Sequence, residues 1–492
     1  MNDTIVIIPT HPEGSPDEVS AGRVGVLVDR TPWWRQTSVV GALVAFAAFA
    51  LVVLSRSSAM LEPDDFAYRA SIVALSHGQI LLTNAQYLAL KSSLGSAGQG
   101  VLQWHQMTSG YWISEKNPGY PFFAILFYAL GLLRLAPLFY GALACAGIFV
   151  GMSRWVSQRA AAVAVWIYCF SGAALTFAWR STMPSFSDAS LIAAGFGLLI
   201  WVLVAVEASP RRRLWVGLAA FVALECAVFI RYTNVIELAV AVAAVAVMAR
   251  GTRLRVASLV AWGASVVALG AVVLGFDQWA YGSATSTGYS SGEISFSLSS
   301  VWPNLKGMPA ALTSSMPMWL LAAAALVVII VRRVRARASS SLAATRTDAL
   351  IGSILAVGWL ALWGLYLCYT WTVSQLGGGH AVTVHVIRFY LPALGLIAML
   401  AAWLVSRWRR PAMIATIAVL VVAALVSFAS MASSNAGGGP GGPGGPGGPG
   451  GSGVPGAGPG SPPGGVGPGG APSGVSAPGA GGPTGTSASS TG

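Results

Sequence analysis

Residues 38–68 read SVVGALVAFAAFALVVLSRSSAMLEPDDFAY. The first part, 38–55, carries no charge and is long enough to cross the roughly 30 Å of hydrocarbon in a bilayer as a helix. A spanning strand would alternate apolar with polar residues, and only helices and closed barrels satisfy their backbone in lipid. Carboxylates at Glu62, Asp64 and Asp65 then follow within four residues. A spanning helix that runs directly into an acidic cluster poses the questions of fold and chemistry together.

The pattern holds along the 492 residues, of which 55% are hydrophobic and 9% charged, where a soluble domain carries roughly a quarter charged. Similar runs recur near 136–152, 160–178, 189–206, 213–230, 234–249, 256–275, 316–332, 349–370, 388–404 and 411–430. With 38–55 they predict about eleven transmembrane helices in an all-α integral membrane domain over 38–431. Residues 1–37 are mixed and polar and lack the features of a signal peptide, so the first helix reads as a retained anchor. The tail, 432–492, is almost wholly Gly, Pro, Ser, Ala and Thr without charge. It cannot bury enough apolar surface to offset its ordering entropy and is expected to be disordered. All four cysteines, Cys145, Cys169, Cys226 and Cys368, fall in expected spans, where a disulfide framework is not expected.

The formal charge of +12 does not point to nucleic acid, because the basic residues form short clusters between apolar runs. With a cytoplasmic N-terminus, Arg23/Arg30/Arg35, Arg154/Arg159, Arg211/Arg212/Arg213, Arg250/Arg253/Arg255, Arg332/Arg333/Arg335/Arg337/Arg346 and Arg407/Arg409/Arg410 all fall on one side, as the positive-inside rule requires. The same rule argues for one crossing, not two, between 119 and 153, since two would place Arg154 and Arg159 outside. Residues 119–133 then read as a helix along the outer interface. An odd count puts the C-terminus outside, and the long segments 56–135, 276–315 and 371–387 become extracytoplasmic, the first a large loop with interfacial helices.

Chemistry is therefore sought on that outer side. Asp64 and Asp65 stand at the membrane surface, where like charges that close raise one another's pKa and make one a candidate base; equally, they cap the helix that starts near Phe66. Asp188 opens the span at 189–206, as its N-cap or as a third acid at the same boundary. Arg180, Arg231 and Arg388 end membrane helices, where a cation needs a partner or an anionic ligand, and phosphate matches a guanidinium fork. Glu225 and Glu237 lie within or near the membrane, with Arg231 a candidate partner. His77, His105, His380 and His385 share the outer side with Asp64 and Asp65, without a metal-ligand spacing.

The order of these features resembles the C-type glycosyltransferase superfamily, which includes dolichyl-phosphate-mannose protein mannosyltransferases and bacterial aminoarabinose transferases. Asp64-Asp65 stands where members carry an acidic pair after the first helix, although the usual pair is Asp-Glu. Glu115-Lys116-Asn117-Pro118-Gly119-Tyr120-Pro121 is similar to the lysine-proline-glycine-tyrosine-proline segment that leads into an interfacial helix. Ser187-Asp188, Arg231-Tyr232-Thr233-Asn234, Tyr281-Gly282-Ser283 with Thr287-Gly288-Tyr289, and Arg388-Phe389-Tyr390-Leu391-Pro392 resemble later family segments.

The resemblance implies inverting transfer of a sugar from a polyprenyl-phosphate carrier to a protein, glycan or lipid acceptor outside the plasma membrane. On that basis Asp64, Asp65 and Asp188 are the catalytic candidates, with Asp64 first choice as base. Tyr68, Lys116, Tyr120, Arg180, Arg231 and Arg388 are the substrate-binding candidates, the cations serving the leaving phosphate. Some relatives bind a divalent metal near the acids. The competing reading is a transporter or flippase for a lipid-linked or small anionic substrate, but no internal repeat of the transporter kind is visible.

Overall fold

The computed structural model describes residues 37–60, 63–93, 103–107, 109–249, 254–286, 288–289, 295–336, 342–375 and 386–434. Expectations that fall on 1–36, on the tail from 435, or on Glu62, Thr287, His380 and His385 lie outside the described residues. Every expected span coincides with a helix, but the count of eleven crossings is not established. Among the described residues eight helices are long and apolar enough to cross alone, or up to ten if each of two bent pairs is one span.

The exceptions have local causes. The helix Gln158–Cys169 stops at Phe170, and Ser171 starts Gly172–Trp179 by accepting from the Ala174 amide at 3.1 Å, bending the pair by 60°. The helices before and after Met316-Pro317 meet at 105°, because the residue before a proline avoids helical dihedrals. The segment at Val235–Met248 is short, 14 residues after a single 3-10 turn.

Helices sort by what surrounds them. Ser185–Val204 and Leu394–Val405 are buried on nearly every side and form the centre, as helices apolar all round should. Val256–Tyr281 instead exposes Val256, Val260, Val267 and Val272, a face that lipid solvates as readily as Leu would. Ala136–Trp155 packs along Ser185–Val204 through small residues. A Cβ on Gly151 would lie 2.3 Å from the Gly197 carbonyl oxygen, and one on Gly197 would lie 2.2 Å from that of Gly147. Gly147 and Gly151, four apart, thus present a small-xxx-small stripe that lets the backbones touch.

At one end of the bundle the chain builds a cap. Pro63–Ser76 and Asn84–Ser93 lead to a two-stranded antiparallel hairpin, Trp104–Gln106 with Trp112–Ser114, in which Trp104 pairs with Ser114. Tyr87 stacks on Trp112 at 4.0 Å and anchors the hairpin to the second of these helices. The helix Gly119–Ala129 follows; a Cβ on Gly119 would fall 2.4 Å from the Phe229 carbonyl. That close approach fixes the start of this helix against the end of Pro210–Ile230, one residue short of Arg231.

The glycine contact predicts that Gly151→Val, which forces the two central helices apart, costs about 1–3 kcal/mol of stability. Gly263→Ala, where nothing lies within 4 Å of the added carbon, should not destabilise. Thermal unfolding of the two purified variants in one detergent compares them.

Candidate active site

Three carboxylates and four cations converge at the cap, and they sort into separate ion pairs. Asp64 and Asp65 are neighbours in the first turn of Pro63–Ser76, so their side chains diverge by the roughly 100° a helix turns per residue. Asp65 turns inward and is fully buried. Arg180 donates a short hydrogen bond to its Oδ2, and Thr182 donates to Oδ1 at 3.0 Å. Asp64 turns toward the cap surface, where Lys116 Nζ stands 2.9 Å from Oδ1 and Arg388 Nη1 2.6 Å from Oδ2. The two acids therefore do not face the same partners; each answers to its own cations.

Asp188 forms the third pair. The helix begins at Ser185, so Asp188 lies within its first turn and is not its N-cap. It is fully buried, with Arg231 Nε 3.0 Å from Oδ2 and Asn234 Nδ2 donating at 3.4 Å. Arg231 also donates to Ser185 Oγ and to the Arg388 carbonyl, each at 3.0 Å. It is thus not the partner of Glu225 or Glu237. Glu225 accepts from Ser265 Oγ at 3.0 Å, and both Glu237 carboxylate oxygens are buried with no hydrogen-bond partner among the described residues.

Each pair depends on segments brought from far along the chain. Arg180 is held where its turn meets the chain after the first helix, through Ser58 Oγ on the Ser181 amide at 3.1 Å and the Trp179 indole on the Ser57 carbonyl. Tyr120 donates from its hydroxyl to the Ser181 carbonyl and meets Tyr68 edge to face at 6.1 Å. Both tyrosines are buried, Tyr68 with its phenol pushed well above the usual range by burial, then by Tyr289. They wall the site; their hydroxyls do not ionise there. Lys116 follows the hairpin directly, its amide donating to Ser114 Oγ at 3.2 Å, and its side chain is 3% exposed.

Sequence reasoning passed over two members of this cluster. Lys116 Nζ donates to the Tyr289 hydroxyl at 2.8 Å, with the same ring 4.8 Å from the ammonium. Gly288 permits this, because a Cβ there would fall 2.4 Å from the Glu115 Cα. The glycine-tyrosine pair was visible, but nothing in its spacing names Lys116 as its target. Thr182, which completes the shell of Asp65, gave no signal at all. Opposite, the Arg388 guanidinium lies over Phe389 and Trp371, at 4.8 and 5.5 Å. A short bridge between Phe296 and Tyr369, with Ser297 donating to Cys368 at 2.7 Å, ties the segment after Tyr289 to the one leading to Arg388.

Beside Lys116 lies a small groove lined by Ser71, Trp104, Ser114, Phe122, Phe276 and Tyr281 among others. The two described histidines, His77 and His105, do not join the ion pairs. His77 turns its Nδ1 to the Val73 carbonyl at 2.9 Å, and burial lowers the pKa of His105, keeping it neutral. Among the described residues no group of three or more His, Cys, Asp and Glu gathers to hold a metal. Asp64 and Asp65 already meet cations, so this donor set does not fit a divalent ion.

Removing Asp65 leaves Arg180 buried without its carboxylate, which costs about 3–5 kcal/mol. Asp65→Ala should therefore lower the unfolding temperature more than Asp64→Ala, whose partners lie nearer the surface. A thermal scan of both in detergent measures the difference.

No protein-family profile matches this chain, and no curated protein matches it by sequence. Among solved structures it is similar to the aminoarabinose transferase ArnT from Cupriavidus metallidurans in the apo state, with a TM-score of 0.50 and 15% identity, over 78% of this chain and 62% of that one. It is also similar to ArnT bound to undecaprenyl phosphate (TM-score 0.47, 14% identity, 82% and 72% covered) and to the apo oligosaccharyltransferase of Archaeoglobus fulgidus (TM-score 0.46, 10% identity, 82% and 56% covered). The chain thus spans 62% of the length of the apo ArnT chain. This likeness is one of architecture: the chain is a polytopic helical membrane protein with a fold similar to that of ArnT.

Proposed function

We propose that the protein is a membrane glycosyltransferase that moves a hexosyl or pentosyl group from a polyprenyl-phosphate carrier to an acceptor hydroxyl. The single observation that carries the reading is the Asp64 carboxylate held between Lys116 at 2.9 Å and Arg388 at 2.6 Å. A base flanked by two cations is what displacement of a sugar from phosphate needs. The acceptor oxygen attacks the anomeric carbon while Asp64 takes the hydroxyl proton. The bond from that carbon to the phosphate oxygen breaks, its electron pair stays on phosphate, and Lys116 and Arg388 meet the charge that develops. One displacement inverts the anomeric centre.

The fold resemblance to ArnT and the groove beside Lys116 support the same reading. The groove sets the apolar side chains of Trp104, Phe122, Phe276 and Tyr281 beside Lys116. ArnT has been crystallised with undecaprenyl phosphate. Arg231 acts as a positioning residue: it grips the Arg388 carbonyl and is oriented in turn by Asp188. Arg180, paired with buried Asp65, holds the helix that presents Asp64. Clustering of arginines in the other loops supports a cap outside the plasma membrane, a cytoplasmic N-terminus and a C-terminus outside. No step is assigned to a metal, because the donor set around Asp64 and Asp65 does not fit one.

In membranes supplied with a polyprenyl-phosphate sugar, Asp64→Asn should lower transfer by roughly 10²-fold or more, the range for loss of a general base. Undiminished transfer would remove Asp64 from the mechanism. Arg231→Lys should weaken transfer less, since it moves Arg388 and spares the base; a loss as deep as that of Asp64→Asn would assign Arg231 a direct role.

A further inference from the structure

Two cations converge on one acidic group at the centre of this site, and that group is the protein's own. Lys116 Nζ and Arg388 Nη1 lie 2.9 and 2.6 Å from the two oxygens of Asp64. The surroundings hold them there. Tyr289 accepts from Lys116 at 2.8 Å, Phe389 and Trp371 cover the Arg388 guanidinium, and Arg231 pins the Arg388 backbone. Lys116 is 3% exposed, Arg388 11% and Asp64 15%. Asp64 is thus the most accessible of the three.

We infer that the Asp64 carboxylate is a displaceable stand-in for the carrier phosphate, so that ligand phosphate and Asp64 compete for Lys116 and Arg388. The inference rests on the proposed function and adds an order of events to it. When a phosphate takes both cations, Asp64 loses the charges that stabilise its ionised form and becomes a stronger base. The base is therefore unmasked only when donor is present. After transfer, Asp64 carries the acceptor's proton and the carrier keeps a monoester phosphate, of charge near −1.5 to −2 at neutral pH. That product binds the cation pair more tightly than the donor diester did. Once Asp64 gives up its proton, its carboxylate again competes for Lys116 and Arg388 and helps expel the product. One residue serves as base and as release device.

The competition predicts a result opposite to what a simple phosphate-binding residue would give. The probe is a water-soluble short-chain polyprenyl monophosphate, titrated against the purified full-length chain in detergent. Asp64→Asn removes the competitor at nearly constant shape and should bind the probe roughly tenfold more tightly than the unaltered chain, the ratio that 1.4 kcal/mol corresponds to. Asp64→Ser should also bind more tightly, whereas Asp64→Glu, which keeps the charge, should stay near the starting affinity. Equal or weaker binding by both neutral variants, with thermal unfolding showing them folded, would overturn the competition. The proposed function fails differently: if Lys116→Ala and Arg388→Ala leave probe binding unchanged, the cation pair is not the phosphate site at all. Loss of binding in those two variants with no gain in Asp64→Asn keeps the site and discards the competition.

Discussion

The pairing of Asp64 with Lys116 and Arg388 is the constraint on which the cap is built, because each partner comes from a separate segment of the chain. Asp64 follows the first helix, Lys116 follows the hairpin, and Arg388 starts the helical segment that continues into Leu394–Val405. Charges in a partly buried, low-dielectric site attract far more strongly than the same charges in water. Taking them out of water costs several kcal/mol per ion unless the geometry is good. Pairing therefore selects one arrangement of three otherwise independent segments. The two pairs beneath it, Asp65 with Arg180 and Asp188 with Arg231, do the same for the helix ends that support it.

Much of the fold was legible because lipid imposes simple rules. Runs of uncharged residues had to be helices, and each of the expected runs coincides with one. What hydropathy could not give was their shape. Ser171 breaks the run at 160–178 at a point that leaves the average apolarity untouched, so that expected crossing becomes a pair bent by 60°, while the helix Leu298–Ser315, which meets the one after Pro317 at 105°, falls in a segment expected to be a loop. The hairpin at 104–114 was missed for a different reason. Strands of three residues are too short to show an alternating pattern, and Trp104 and Trp112 owe their places to each other and to Tyr87.

The site divides in the same way. Carboxylates and arginines in a chain with 9% charged residues stand out from sequence because each is costly near lipid. Which acid meets which base was not legible, since pairing is decided by helix ends that lie far apart in the chain. From sequence Asp64 and Asp65 stand equally as neighbouring acids that perturb each other and as caps of one helix start; in the structure consecutive helix positions face different ways, and the two serve different cations. Arg231 was offered to the intramembrane glutamates and belongs to Asp188. Tyr289 and Thr182 carry no charge and so gave no signal strong enough to place them. Their roles follow from contact alone.

The account makes the cation pair, and not any one acid, the place where an anionic carrier is gripped. An electron cryo-microscopy map of the full chain in a lipid nanodisc with bound short-chain polyprenyl phosphate tests this most directly. The account predicts phosphate oxygens about 3 Å from both Lys116 Nζ and the Arg388 guanidinium, with the Asp64 side chain moved off them. A phosphate seated elsewhere, with Lys116 and Arg388 still closed on Asp64, would contradict it.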